Sequence, residues 1–354
     1  MQHTSEIQVI EGEYQEEPQQ TGLVLSPLAE AFANWQNGGD ERLLQLYLGE
    51  LDIKENSKQA YARRLRQFFA YLKAEGLELR FLDYRITQQD IVNYREALLD
   101  ESSPHHVAVS TALSYLVAVR GLFDWLAKRG GAFGRGYTTN PAANVKTPRV
   151  SKRHAKDTLT PEQLREVADH LRAQAEPGNL AGLRNYAMFQ VMARTGLRTV
   201  EVSRATVGNH RQEQGHPVLY VQGKGRDEAD EFVLLTPEAL KPLRQYLTAR
   251  SGLFGTLEDE APLFASHGPN NQNGRLSPIS VSRIIKTALR AVGLDDKRLT
   301  AHSLRHTAIT LAVIGGASLH QAQAMARHAD PATTEIYFHN VNRLQNAAEL
   351  FIRF

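Results

Sequence analysis

Between residues 130 and 160 the chain loses its capacity for regular structure. Gly130, Gly131, Gly134, Gly136, Pro141 and Pro148 fall in that stretch, and glycine and proline are the strongest local breakers of helix and strand. A single layer of structure does not run through such a segment. The chain must therefore fold as two bodies, and 354 residues give each enough length for a core. Lys146, Arg149, Lys152, Arg153 and Lys156 make the same stretch basic. This predicts an interdomain linker over residues 131–158 that lies along phosphates, where each contact releases counterions and steepens the salt dependence of binding.

Ahead of the linker, residues 41–130 read as helical. Leu43, Leu44, Tyr47 and Leu48 form one apolar stripe; Tyr61, Leu65, Phe68, Phe69 and Leu72 form a second, in a helix opened at Ser57 and ended at Gly76. Thr87 caps a third helix through Ile91, Tyr94 and Leu98, and a fourth runs from Ser110 to Leu126. Four helices with short links predict a compact bundle. Arg63, Arg64 and Arg66 lie on the polar side of the second helix and are candidate contacts for a polyanion.

Composition limits the partners. Hydrophobic residues make up 42% and charged residues 23%, the range of a globular chain. No stretch approaches the ~20 apolar residues that span a bilayer, so no membrane role is expected. The absence of cysteine excludes disulfides and thiol chemistry and fits a reducing, cytoplasmic setting. Residues 1–50 carry nine acidic side chains and one arginine, a net of −8 against +2 for the whole chain, which leaves +10 for the rest. A basic body behind an acidic leader (residues 1–40, expected to be disordered) suits a polyanion partner.

The second body opens at Thr160-Pro161-Glu162, a cap followed by proline at the first helical position. Helices are expected at 180–196, 237–249, 277–292, 302–315, 318–327 and 331–339, with short strands at 217–222 and 231–235 around the glycine-flanked Lys224. The expectation is a mainly helical domain with a small antiparallel β-sheet, spanning 159–340, and a final helix over 341–354 whose apolar positions include Val341, Leu344, Ala348, Phe351 and Ile352.

The chemistry gathers in the last third. His302, Arg305 and His306 recur at three- and four-residue spacing, one helical face. Arg327, His328 and Asp330-Pro331 follow, and Tyr337 stands about two turns into the helix that Asp330 caps. Upstream, Arg198 is followed three residues later by Glu201. Guanidinium forks bind phosphate oxygens in pairs, histidines donate hydrogen bonds or move protons, and a tyrosine hydroxyl is a nucleophile once its proton has a destination. Zinc is disfavoured: Ser303 stands where a His-Glu-x-x-His helix carries its glutamate, and Arg305 repels a cation. No metal and no cofactor is expected.

In order, Thr195-Gly-Leu-Arg-x-x-Glu201, Gly223-Lys-Gly225, His302-x-Leu-Arg-His306, His328, and Tyr337 nine residues on resemble the motifs of the tyrosine recombinase (phage-type integrase) family, with a layout similar to the Xer enzymes. The likeness covers residues 40 to 345. One departure stands out: Ala326-Arg327 precedes His328 where the family usually has Leu-Gly.

The resemblance implies a helical core-binding domain over 41–130 and a catalytic domain over 159–340 in the tyrosine recombinase fold. It implies Arg198 and Arg305 as phosphate clamps and Tyr337 as nucleophile. Lys224 becomes the general acid. His302 becomes a donor that also takes the tyrosine proton, His328 a further donor, and Glu201 an orienting partner. His306 is expected to be structural. The implied reaction is site-specific strand exchange in double-stranded DNA through a 3′-phosphotyrosyl link and a four-way junction, by a tetramer on two sites, free of metal and ATP. C-terminal elements would be exchanged between protomers, and an accessory or directionality protein is allowed as a partner. A silent DNA-binding relative, or a type IB topoisomerase or telomere resolvase, uses similar parts. Integration, excision, transposition and dimer resolution all stay open.

Overall fold

The computed structural model describes residues 39–130, 136–148, 158–223, 228–345 and 352. Nearly all of the acidic leader, Arg149, Lys152, Arg153, Lys156, Lys224, Ala348 and Phe351 lie outside them. The chain divides into two compact units, residues 1–150 and 151–354.

The first unit holds α1 (Gly39–Glu50), α2 (Glu55–Ala74), α3 (Glu78–Leu82), α4 (Gln88–Leu99) and α5 (Val109–Gly130). The helix beyond the expected four is α3, a five-residue piece between Gly76 (φ 64°) and Tyr84 (φ 58°). Thr87 caps α4 as its sequence predicts. Its hydroxyl accepts from Asp90 N (3.3 Å), and Asp90 Oδ2 accepts from Thr87 N (2.7 Å), so two otherwise orphaned donors are satisfied reciprocally. The apolar stripes meet in one core. Phe68 packs edge-on against Tyr94 (5.0 Å) and Phe123 (6.0 Å), and Phe123 against Tyr137 (4.9 Å). Gly121 lets the Tyr47 hydroxyl approach α5; a Cβ there would stand 2.7 Å from that oxygen.

The candidate phosphate contacts of this unit differ from one another. Arg63 is exposed. Arg64 lies 5.8 Å from the Tyr61 ring. Arg66 spends its fork on Glu41, with Nε to Oε1 at 2.5 Å and Nη2 to Oε2 at 2.9 Å. Lys146 is exposed, and its carbonyl accepts from Arg95.

The second unit runs α6 (Pro161–Gln174), α7 (Leu180–Thr195), α8 (Thr199–Arg204), β1 (His210–Glu213), β2 (His216–Val221), β3 (Glu231–Leu234), α9 (Pro237–Phe254), α10 (Pro278–Ala291), α11 (Ala301–Ile314), α12 (Leu319–Ala326) and α13 (Pro331–Gln345). The three strands form an antiparallel sheet in the order β1-β2-β3, with Leu219 opposite both His210 and Val233. It is a mainly helical domain with a small sheet, as expected.

Helix α7 is the axis of the unit. Ala187, Met188, Phe189, Val191 and Met192 are buried, and the core continues through Leu219, Val233, Leu243, Tyr246, Ile285 and Leu304. Gly196 ends α7 with φ 64°, the left-handed cap that glycine adopts without a Cβ penalty. That turn delivers Arg198 to the start of α8.

A smaller cluster, Ile309, Val313, Ala322, Ala326, Tyr337 and Val341, joins α11, α12 and α13. Tyr337 is a member of it, so packing sets the position of its ring. Helix α13 runs unbroken from Pro331 to Gln345, across the boundary expected at residue 340.

Candidate active site

Helices α8, α11 and α13 and the turns before α8 and after α12 build the site. Arg198 precedes α8, and the Glu201 carboxylate returns to accept from Arg198 N (2.7 Å) and Arg198 Nη1 (2.7 Å). Glu201 is fully buried, whereas the Arg198 side chain keeps 27% of its surface exposed. The Arg198 guanidinium is held at Nη1 by Glu201 and at Nη2 by the Arg327 carbonyl (3.4 Å), and it stays partly open to solvent. Burial pushes the Glu201 carboxyl up, but Arg327 and Arg198 more than offset this and hold it below the ordinary carboxylate range.

Helix α11 carries His302, Arg305 and His306 on adjoining turns. Arg305 is buried, at 2% exposure. Its Nη1 donates to Gly196 O (2.7 Å) and its Nη2 to Ala326 O, so it ties the end of α7 to the end of α12. A guanidinium has five donors, so the two carbonyls leave donors for a ligand. Burial and the charges of Arg198 and Arg327 push its pKa down to about 10, and it remains cationic at neutral pH.

His306 holds the tyrosine. Its Nδ1 is hydrogen-bonded to the Tyr337 hydroxyl, and the two rings stack at 5.6 Å with a 22° interplanar angle. The exposed His302 ring stands edge-on against His306, 4.4 Å between centroids. The resemblance implies that His302 takes the tyrosine proton and that His306 is structural; in the structure the bond to the hydroxyl is made by His306. Burial raises the Tyr337 hydroxyl above its ordinary range, with Arg305 and Arg198 acting in the opposite sense.

His328 approaches from the turn after α12. Its Nδ1 pairs with the buried Thr334 hydroxyl (2.9 Å), which fixes the ring, and its centroid lies 6.3 Å from that of Tyr337. Burial, then Arg305, Arg198, Arg327 and His302, push its pKa down to about 4. It is therefore neutral at working pH.

The sign for stability follows. The unfolded histidine titrates near 6.5, so in the window from about 6.5 down to about 4 the unfolded chain binds the proton and the folded one does not. Stability is full above that window and falls as pH drops through it. His267, also pushed down to about 4 by burial, adds to the same slope. His328→Gln is expected to remove part of the loss, on the order of 2 kcal/mol. Melting curves between pH 7 and 4.5 check this; an unchanged slope contradicts it.

Arg327 stands where the family usually has glycine. It is buried and pairs with Glu201 through Nη2–Oε2 at 2.7 Å. The Lys224 position lies outside the described residues; the described part of that hairpin reaches Gly223, whose carbonyl accepts from Arg204 of α8 (3.2 Å). Among the described residues no group of histidine and carboxylate side chains is placed to hold a metal ion. None of their helices is long and apolar enough to cross a membrane.

Residues 157–343 match the phage integrase family, and residues 41–130 match the phage integrase N-terminal SAM-like domain. The chain belongs to the phage integrase family. It is a tyrosine recombinase, a DNA strand transferase. Among its relatives are the tyrosine recombinase XerD of Shewanella oneidensis, 26% identical over 84% of this chain and 91% of that one, and XerC of Pelobacter propionicus, 27% identical over 84% and 89%. The fold is that of the XerH recombinase bound to its palindromic difH substrate (TM-score 0.70, 19% identity, 92% of this chain and 88% of that one). The Tn1549 transposon integrase with circular intermediate DNA shares it too (TM-score 0.59, 17% identity, 83% and 94%).

Proposed function

We propose that this recombinase exchanges strands between two duplex DNA sites by attack of Tyr337 on the scissile phosphate. The Tyr337 oxygen bonds to phosphorus and the bond from phosphorus to the 5′ oxygen breaks. A 3′-phosphotyrosyl link and a free 5′-hydroxyl result. The link conserves the energy of the phosphodiester, so rejoining needs no ATP, and the cationic side chains take the role that a metal would otherwise play. The observation that supports this best is the convergence on Tyr337. His306 bonds its hydroxyl, His328 stacks nearby, and the charges of Arg305 and Arg198 act on it.

Arg198 and Arg305 clamp the non-bridging oxygens, and His302 and His328 complete the ring of donors. The tyrosine proton passes to His306 Nδ1, the partner its hydroxyl already has. Lys224 protonates the leaving 5′ oxygen. Lys224→Ala should lose cleavage on ordinary DNA and regain it on a 5′-bridging phosphorothioate, whose leaving group needs no proton; continued inactivity there removes the acid role. Arg63, Arg64, Lys146, Arg149, Lys152, Arg153 and Lys156 contact backbone phosphates, whereas Arg66 must first leave Glu41.

Four protomers act on two sites through a four-way junction, exchanging C-terminal elements. The product is an integrated or excised element or a resolved replicon dimer. The test is a supercoiled plasmid with two directly repeated candidate sites, in EDTA. Two separate circles are expected. Relaxation of one-site plasmids without exchange between two sites would turn the reading to a topoisomerase.

A further inference from the structure

Arg327 occupies a backbone conformation that favours a different residue. It ends α12 with φ 53° and ψ 50°, the left-handed region that L side chains other than glycine and asparagine seldom adopt. Its side chain is 2% exposed, and a buried guanidinium is costly unless paired. Two unfavourable features at one position call for a compensating interaction.

That interaction is Glu201, 126 positions earlier in the chain. Arg327 Nη2 donates to Oε2 at 2.7 Å and Nε lies 3.4 Å from Oε1. Arg198 supplies Nη1 to Oε1 and its backbone N–H to Oε2, both at 2.7 Å. One carboxylate therefore carries two guanidinium groups. Burial raises the Glu201 carboxyl, and the largest opposing effect is the charge of Arg327, ahead of the hydrogen bonds from Arg198.

The turn holding Arg327 also reaches both proposed clamps through its main chain. Arg327 O accepts from Arg198 Nη2 (3.4 Å), and Ala326 O accepts from Arg305 Nη2. The next residue is His328. With Arg327 absent, Arg198 and Glu201 would form a closed one-to-one pair, and the phosphate would compete with a carboxylate for Arg198.

We propose that Arg327 is a positioning residue: its guanidinium balances the charge of Glu201, so that the Arg198 guanidinium stays available to the scissile phosphate. This rests on the reading of Arg198 as a phosphate clamp.

Glycine separates this role from a purely structural one. Arg327→Gly relieves the backbone and removes the charge. A residue that only caps the helix would be replaced without loss. Single-turnover cleavage of a nicked suicide duplex carrying the recombination site is measured for wild type, Arg327→Gly, Arg327→Lys, Arg198→Ala and the Arg198→Ala/Arg327→Gly pair. Melting temperature and DNA affinity are followed alongside.

The expected result is a folded Arg327→Gly protein that binds DNA but cleaves on the order of 10- to 100-fold more slowly. Arg327→Lys should recover part of the rate. In the Arg198→Ala background the glycine substitution should add little, because groups acting through one another are not additive. A methylphosphonate at the scissile position, which lacks the phosphate charge, should shrink the glycine effect.

Wild-type cleavage by Arg327→Gly, beside a slow Arg198→Ala, would overturn the proposal and leave the clamp reading standing. A full additional loss in the Arg198→Ala background would also overturn it. Normal cleavage by Arg198→Ala would instead remove the clamp reading itself. Should Arg327→Gly fail to fold, Arg327→Gln, which keeps an amide for Glu201 without the charge, is read in the same cycle with the same criteria.

Discussion

Tyr337→Phe is expected to bind its DNA site normally and form no covalent adduct. The substitution deletes one oxygen. The ring still stacks on His306 at 5.6 Å and on His328 at 6.3 Å, and it still fills the cluster with Ile309, Val313 and Ala326. One hydrogen bond, to His306, is lost. Its net worth is about 1 kcal/mol, and the unpaired histidine nitrogen left behind adds a cost of similar size, so the fold should survive. Cleavage should not, because no other group replaces the attacking oxygen. The assay is a nicked duplex whose short downstream strand diffuses away after cutting and traps the intermediate. His306→Ala, which keeps the nucleophile but takes away the partner of its proton, should retain a reduced rate, lower by ~10²–10⁴, the usual range for a general base. An adduct formed at the normal rate by Tyr337→Phe would contradict the assignment of the nucleophile.

Arg305→Lys should lose cleavage by ~10²–10³ despite keeping its charge. Two carbonyls from different elements, Gly196 O and Ala326 O, are held by the two ends of one planar fork. A lysine ammonium is a single point and does not bridge both while also meeting a phosphate. The carbonyl it releases is buried, which costs about 1–3 kcal/mol of stability. Thermal melting should therefore fall together with activity. Cleavage assayed well below the mutant's melting temperature separates the two effects. A near-normal rate there would show that charge alone is sufficient and that the bidentate geometry is not required.

The parts of the molecule legible in its sequence are those decided locally. The caps at Thr87 and Thr160 are short-range reciprocal bonds, and the structure forms both. Apolar stripes at three- and four-residue steps mark the long helices of the first unit, because one buried face is enough to demand the pattern. Strand β1, His-Arg-Gln-Glu, was missed since it has no apolar alternation; it is a polar edge strand whose pairing comes from β2. Helices α3 and α8, of five and six residues, are too short to show a period.

The motif residues were legible as a set, but their bonds were not. His306 and Tyr337 are 31 positions apart on different helices, and only the packing of α11 on α13 brings them together. The resemblance points to His302 for the proton, because spacing on α11 alone does not show which histidine faces Tyr337. Arg327 was visible only as the wrong residue before a histidine. Its partner lies on α8, and no local signal points there.

The most direct test of the central claim is to identify the amino acid joined to DNA. Wild-type protein is trapped on the suicide duplex in EDTA, digested, and the peptide carrying the nucleotide is sequenced by mass spectrometry. The expected result is a single modified residue, Tyr337, linked to a 3′-phosphate. A different modified residue, or a link through a 5′-phosphate, would contradict it.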